Sequence, residues 1–197
     1  MEIETQSPVV YWDNQTRFLH LGLALFITLE LFNSLVMQEH ISGSGLGGLM
    51  FEVHEWAGMG ALAIILAHWW WSIWGTSNES IRHLFPWGSD DRVQIWRELR
   101  DLLSLRLPPG GPRGRLAGLV HGFGFLAVTV MALTGAVLFF WLPEGGGEPG
   151  PLIEGSEEVH EILSTFVWIY WGAHVSMAVL HELLARDGTL RWMFKLS

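Results

Sequence analysis

Four long apolar segments constrain the fold of this chain more than any other feature of its sequence. They cover about residues 18–37, 53–74, 116–141 and 159–181 of a chain of 197 residues. Each is close to the roughly 20 residues that an α-helix needs to cross the hydrocarbon core of a bilayer. Core helices of water-soluble domains are usually shorter. The pattern predicts an all-α membrane protein, in which residues 1–197 form a single domain folded as a four-helix transmembrane bundle.

The basic residues predict how the bundle is oriented. All eleven Lys and Arg lie at Arg17, between Arg82 and Arg115, or between Arg186 and Lys195, and the other two loops hold none. Because basic loops stay in the cytoplasm, we expect both termini on the cytoplasmic side of a bacterial inner membrane. The first seventeen residues do not resemble a cleavable signal peptide, so the first span is expected to remain in the mature protein.

The two outer loops and their flanks are acidic. Their carboxylates are Glu39, Glu52, Glu55, Glu144, Glu148, Glu154, Glu157 and Glu158. This charge either keeps the outer side soluble or forms a docking surface for a basic partner, since complementary charge steers association.

The long cytoplasmic connection contains a predicted amphipathic helix over about residues 91–106. Asp90 and Asp91 favour a helix start, and the PPGGP stretch at 108–112 ends the helix. Apolar residues mixed with arginines are typical of a helix that lies on anionic membrane lipid. A nucleic-acid partner is not expected, because these arginines alternate with acids and apolar anchors.

The histidines within the apolar segments show a repeated spacing. His160 and His174 are fourteen residues apart, and so are His54 and His68. Fourteen residues are close to four helical turns, so each pair shares a helix face and spans roughly 21 Å. Alternating helix directions place His54 and His160 near the outer surface, and His68 and His174 near the inner surface. His20, in the first segment, also lies near the inner surface.

Two histidines facing each other at one depth suit axial coordination of haem iron, which takes a neutral imidazole on each side of the macrocycle. The chain has no cysteine, so any haem is held without covalent attachment. No H-E-x-x-H motif is present, which argues against a zinc protease, and a single E-x-x-H argues against a di-iron site. The remaining histidines, His40, His83 and His181, are expected to be interfacial.

Glu30 is the least expected charge in the chain, because it lies within the first apolar segment. A lone carboxylate in lipid is very unfavourable, so it must face protein or water, or be protonated. We expect a structural hydrogen bond, and a proton route is the alternative.

Four stretches resemble the bacterial cytochrome b-561 family, in particular its hydrogenase-type and diheme-cytochrome-c-associated branch. They are WDNQTRFLH at 12–20, VHEWAG at 53–58, the glycines at 118–122, and EEVHE at 157–161 together with His174. The resemblance covers nearly the whole chain. It implies a membrane cytochrome with two haem b groups that exchanges electrons with quinone.

The resemblance also implies a role for individual residues. It implies that His54 and His160 hold an outer haem, and that His20 and His174 hold an inner one. Arg17, one helical turn before His20, would pair with a haem propionate as a bidentate donor.

Two further histidines keep alternative roles. His68 departs from the family pattern, in which an arginine is usual. It either bonds a propionate or replaces His20 as the partner of His174. His121 meets a propionate or a quinone at the inner face, or packs at the interface.

The predicted function is transmembrane electron transfer in a respiratory chain, between the quinone pool and a periplasmic c-type cytochrome or a hydrogenase or dehydrogenase subunit. The chain would be an electron-transfer protein or the membrane subunit of an oxidoreductase complex. The alternative is a self-contained oxidoreductase, such as a superoxide:quinone oxidoreductase. That enzyme would need a positively charged outer funnel, and the outer loops have no Lys or Arg.

Overall fold

The computed structural model describes residues 12–37, 45–75, 80–143, 148–186 and 188–194, and within these ranges it contains helices and no strand. A short 3-10 helix and a π-helical turn accompany the α-helices, at Gly111–Arg113 and His181–Ala185. The α-helices are α1 (Asn14–Asn33), α2 (Leu46–Trp74), α3 (Ile81–Leu84), α4 (Ser89–Leu103), α5 (Arg115–Trp141), α6 (Pro151–Leu180) and α7 (Thr189–Phe194). The predicted all-α class is confirmed.

The helices extend beyond the predicted apolar segments, so the connections between those segments are shorter than the sequence indicated. Residues 46–52 belong to α2, and residues 151–156 belong to α6. Pro151 occupies the first turn of α6 and Glu154 lies in the same turn, where a fixed φ angle and a negative charge both favour a helix start. The prediction located only the apolar part of each helix.

Among the described residues, three helices are long and apolar enough to cross a membrane: α2, α5, and α6 together with its π-helical turn. The 20 residues of α1 include Arg17, His20 and Glu30, which lower its apolar character. The fourth span therefore stays a prediction.

The long helices pack as consecutive neighbours. Close backbone approaches join α1 with α2, α2 with α5, and α5 with α6. By contrast, α6 has few or no close backbone approaches to α1 and α2, and it reaches α1 through side chains. One of these contacts is a 3.0 Å hydrogen bond from Trp171 Nε1 to Thr28 Oγ1. A gap bridged by side chains thus separates α6 from α1 and α2.

The connection between α2 and α5 packs on the N-terminal half of α5. Helix α3 lies against Gly118 and Gly122, where a Cβ atom would collide with the backbone of His83 and Leu84. Helix α4 covers most of the amphipathic helix that was predicted at residues 91–106. Its buried Glu98 accepts hydrogen bonds from the backbone N–H groups of Leu116, at 2.7 Å, and Arg115. Glu98 thereby caps the first turn of α5.

The opposite side of α4 remains exposed. Val93 and Trp96 lie there with Arg92 and Arg97. This is the composition expected of a helix resting on lipid, and its contact with the membrane stays a prediction.

Candidate functional site

The outer ends of α2 and α6 bring two histidines face to face. The ring centres of His54 and His160 are 6.2 Å apart, and the ring planes are nearly perpendicular, at 84°. Both side chains are only partly exposed. Gly135 of α5 leaves room for this arrangement, since a Cβ there would come within 3.2 Å of His160 Cε1.

The Nδ1 atoms of both outer histidines are already engaged. Nδ1 of His54 pairs with Oε2 of Glu30 from α1. Nδ1 of His160 lies 3.1 Å from the carbonyl oxygen of Met131 and 3.0 Å from Oγ1 of Thr134. With Nδ1 facing oxygen atoms in both rings, each imidazole has Nε2 as its candidate metal-binding nitrogen.

A second histidine pair lies at the inner ends of α1 and α6. The ring centres of His20 and His174 are 6.0 Å apart, with 46° between the ring planes. Tyr170, one turn earlier on α6, stacks on His174 at 5.7 Å and 13°. The ring of His121 from α5 lies 5.3 Å from that of His174. Aromatic rings thus surround His174.

The two candidate partners of His174 are placed differently. The structure brings His20 to the side of His174, whereas His68 is fully buried and packs its ring on Phe125 at 4.6 Å. Phe125 and Ile65 belong to the core cluster that joins α2 to α5.

Arg17 lies one turn before His20 and is 6% exposed. Its Nη1 donates to Asn14 Oδ1 at 3.1 Å. Its Nε and Nη2 are buried and have no hydrogen-bond partner among the described residues. A buried guanidinium with two donors left over is suited to an anionic group such as a carboxylate.

The spacing of both pairs fits one metal ion between two imidazoles. Two imidazoles bonded to opposite sides of a metal at about 2 Å each hold their ring centres roughly 6 Å apart. The observed separations, 6.2 and 6.0 Å, match this value. Among the described residues, no group of three or more His, Cys, Asp or Glu could hold a metal ion. Paired ligands without a third protein ligand fit haem iron, whose equatorial ligands come from the macrocycle.

The helix packing supports the same fit. Each histidine pair crosses one of the two interfaces where the backbone of α6 stands away from its neighbour, α2 for the outer pair and α1 for the inner pair. A flat macrocycle needs such a gap between helices. The residues present therefore fit two haem groups.

Sequence reasoning missed an aromatic cluster at the inner end. Trp12 packs its ring against His83, at 5.5 Å, and His121, at 6.3 Å. His83 and His181 were expected to be interfacial, but both are buried, at 4% and 5% exposure. His40 lies outside the described residues. No short motif marks these contacts, because they join residues far apart in the chain.

A helical membrane bundle with facing histidine pairs defines a class, the membrane b-type cytochromes, which bind haem without covalent attachment. A comparison with protein families agrees, since the family model for prokaryotic cytochrome b561 matches residues 11–195. The chain belongs to this family, and it is a transmembrane electron-transfer protein with b-type haem. No curated protein and no solved structure matches the chain.

Proposed function

We propose that the chain carries two haem b groups and passes electrons across a bacterial inner membrane between the quinone pool and a periplasmic partner. The observation that carries the proposal is the presence of two facing histidine pairs at different depths, with ring centres 6.2 and 6.0 Å apart. His54 and His160 would hold the outer haem, and His20 and His174 the inner one.

The choice of His20 over His68 rests on placement. The ring of His20 stands at metal-bridging distance from His174. The ring of His68 is enclosed in the core between α2 and α5, where it packs on Phe125. His68 therefore has a packing role, and His20 completes the inner pair.

The haem groups supply one-electron redox chemistry, and the protein binds them, orients them and keeps water away. Tyr170 holds the ring plane of His174 by stacking on it. Arg17 offers two buried donors on the inner side to a propionate. His121, beside His174 and Trp12, is placed to meet a propionate or a quinone at the inner surface.

The charge distribution supports the proposed orientation and partner. The basic connection and tail would face the cytoplasm, with α1 as the fourth span and α4 on the inner lipid surface. The acidic outer residues would steer a soluble c-type cytochrome, or a hydrogenase or dehydrogenase subunit, to the outer haem. Superoxide oxidation is not favoured, because an acidic outer surface repels a small anion.

A reduced-minus-oxidised spectrum with haem quantitation tests the proposal. The wild type should bind two b-type haems per chain, and His160→Ala and His20→Ala should each lose one of them. His68→Ala should keep both, and so should His181→Ala, a control at a buried histidine away from the pairs. A wild type without b-type haem would overturn the function. Loss of the inner haem in His68→Ala but not in His20→Ala would overturn the ligand assignment.

A further inference from the structure

Glu30 is a carboxylate that contacts a proposed haem ligand. Its Oε2 pairs with Nδ1 of His54, and the two side chains are 12% and 21% exposed. The other carboxylate oxygen, Oε1, is buried and has no hydrogen-bond partner among the described residues. A buried carboxylate with a partner for one oxygen only is not explained by stability alone. The free-energy cost of its desolvation is larger than the gain from a single contact.

The contact is fixed by the packing of α1 on α2. Asn33, one turn after Glu30, is buried and donates from Nδ2 to the backbone oxygen of Met50 at 2.6 Å. Met50 lies one turn before His54 on α2. Because the helices run in opposite directions, this bond sets their register and brings Glu30 opposite His54. Glu30 is therefore held in place by the fold.

The structure assigns to Glu30 the role of a positioning residue that orients His54 and lowers the reduction potential of the outer haem. This inference rests on the proposed function. An imidazole that binds iron through Nε2 carries its hydrogen on Nδ1, so in the haem-bound protein His54 would donate and the Glu30 carboxylate would accept. Such a bond would select the tautomer and the ring orientation that coordination requires.

The effect on the potential follows from charge. A carboxylate that accepts from Nδ1–H makes the imidazole a stronger electron donor, and its negative charge favours ferric over ferrous iron. Both effects lower the reduction potential. His160, the other histidine of the pair, differs from His54, because its Nδ1 faces a carbonyl and a hydroxyl, which are neutral. Glu30 thus supplies the negative charge that contacts this histidine pair.

The effect should be confined to the outer haem. His20 lies ten residues before Glu30 on α1. Ten residues of helix span about 15 Å, too far for a hydrogen bond to act on the inner pair. A substitution at Glu30 should therefore change the reduction potential of the outer haem and leave that of the inner haem unchanged.

Redox titration of the purified membrane protein, followed by optical spectroscopy, tests the inference. Glu30→Gln keeps an acceptor oxygen and the side-chain shape but removes the charge. We expect the midpoint potential of the outer haem to rise in Glu30→Gln and the inner potential to stay unchanged. The two steps of the titration are assigned to the outer and inner haem by repeating it with His160→Ala and His20→Ala. Glu52→Gln removes an exposed outer carboxylate from α2 and serves as the charge-matched control.

The possible outcomes separate this inference from the proposed function. Absence of b-type haem from the wild type would overturn both. Two bound haems with an unmoved outer potential in Glu30→Gln, or an equal rise in Glu52→Gln, would overturn the role of Glu30 alone. Selective loss of the outer haem in Glu30→Gln, with the inner haem retained, would support the positioning role, because His54 would no longer be held for coordination.

Discussion

Side chains next to each histidine determine which group that histidine can bind. His174 is held by the stacked ring of Tyr170, which in turn needs Gly124, since a Cβ there would collide with the tyrosine ring. Arg17 adds a buried positive charge one turn from His20. The proposed inner site thus combines a histidine held by ring stacking with a buried donor for an anion.

Arg17 should matter for the inner haem alone. In Arg17→Gln we expect weaker retention of that haem, because charge-assisted hydrogen bonds contribute about 1.5–3 kcal/mol each, or roughly ten- to hundredfold in affinity. Haem titration of the depleted protein measures the change. Arg97→Gln, at an exposed arginine of α4, is the control and should bind haem normally. Equal affinities in Arg17→Gln and the wild type would exclude the propionate contact.

The sequence predicted how the histidines are spaced, but it did not predict which side chains contact them. The spacing of fourteen residues placed His160 and His174 on one helix face, and the structure brings each to a facing histidine. Helical periodicity does not reveal how two helices are rotated about their axes, so the partner of Glu30 was not predictable. The same limit left His20 and His68 as alternatives, and the ring contact between His20 and His174 supports the proposal of His20.

At the scale of elements, short polar contacts join α4 to the start of α5. Glu98 was not distinguished from the other charges of α4, because its sequence neighbours are solvated residues. In the structure it is 4% exposed and accepts from Gln94 and from two N–H groups at the start of α5. The amphipathic pattern predicted the helix, but it did not predict this cap.

Removal of the Glu98 carboxylate should loosen the inner end of the bundle. Glu98→Ala leaves buried N–H groups of α5 without an acceptor, which costs about 1–3 kcal/mol. Thermal unfolding in detergent should show a lower midpoint temperature than the wild type. Arg97→Ala, at the adjacent exposed residue, should unfold like the wild type. A matching loss in both variants would mean that α4 contributes through its general packing and that the cap is unimportant.

The whole molecule has a basic side and an acidic side. Every Lys and Arg lies at one end of the proposed bundle, and the loops at the other end contain acids but no Lys or Arg. Apolar side chains cover the outside of the helices between these ends; Leu25, Trp56 and Leu66 are more than half exposed. Charge and hydropathy predict four spans and their direction, and the polar residues of α1 make it the least apolar of the four segments.

The natural absence of cysteine allows a direct test of orientation. Glu154→Cys introduces a thiol at the acidic end, and Ser104→Cys introduces one at the basic end; both positions are exposed. In intact cells freed of their outer membrane, a membrane-impermeant maleimide should label Glu154→Cys. Ser104→Cys should react only after the inner membrane is opened. The opposite labelling pattern would show that the bundle is inverted.

Helix α6 contributes one histidine to each pair, so the number of residues between them sets the distance between the two pairs. The fourteen residues from His160 to His174 are two heptads and cover roughly 21 Å of a hydrocarbon core that is about 30 Å thick. Inserting one residue there would turn one histidine by about 100° away from its partner. Insertions or deletions of about seven or eleven residues, which are close to two or three whole turns, would keep both histidines on one helix face. The segment therefore sets how far apart the two proposed redox centres would lie in the membrane.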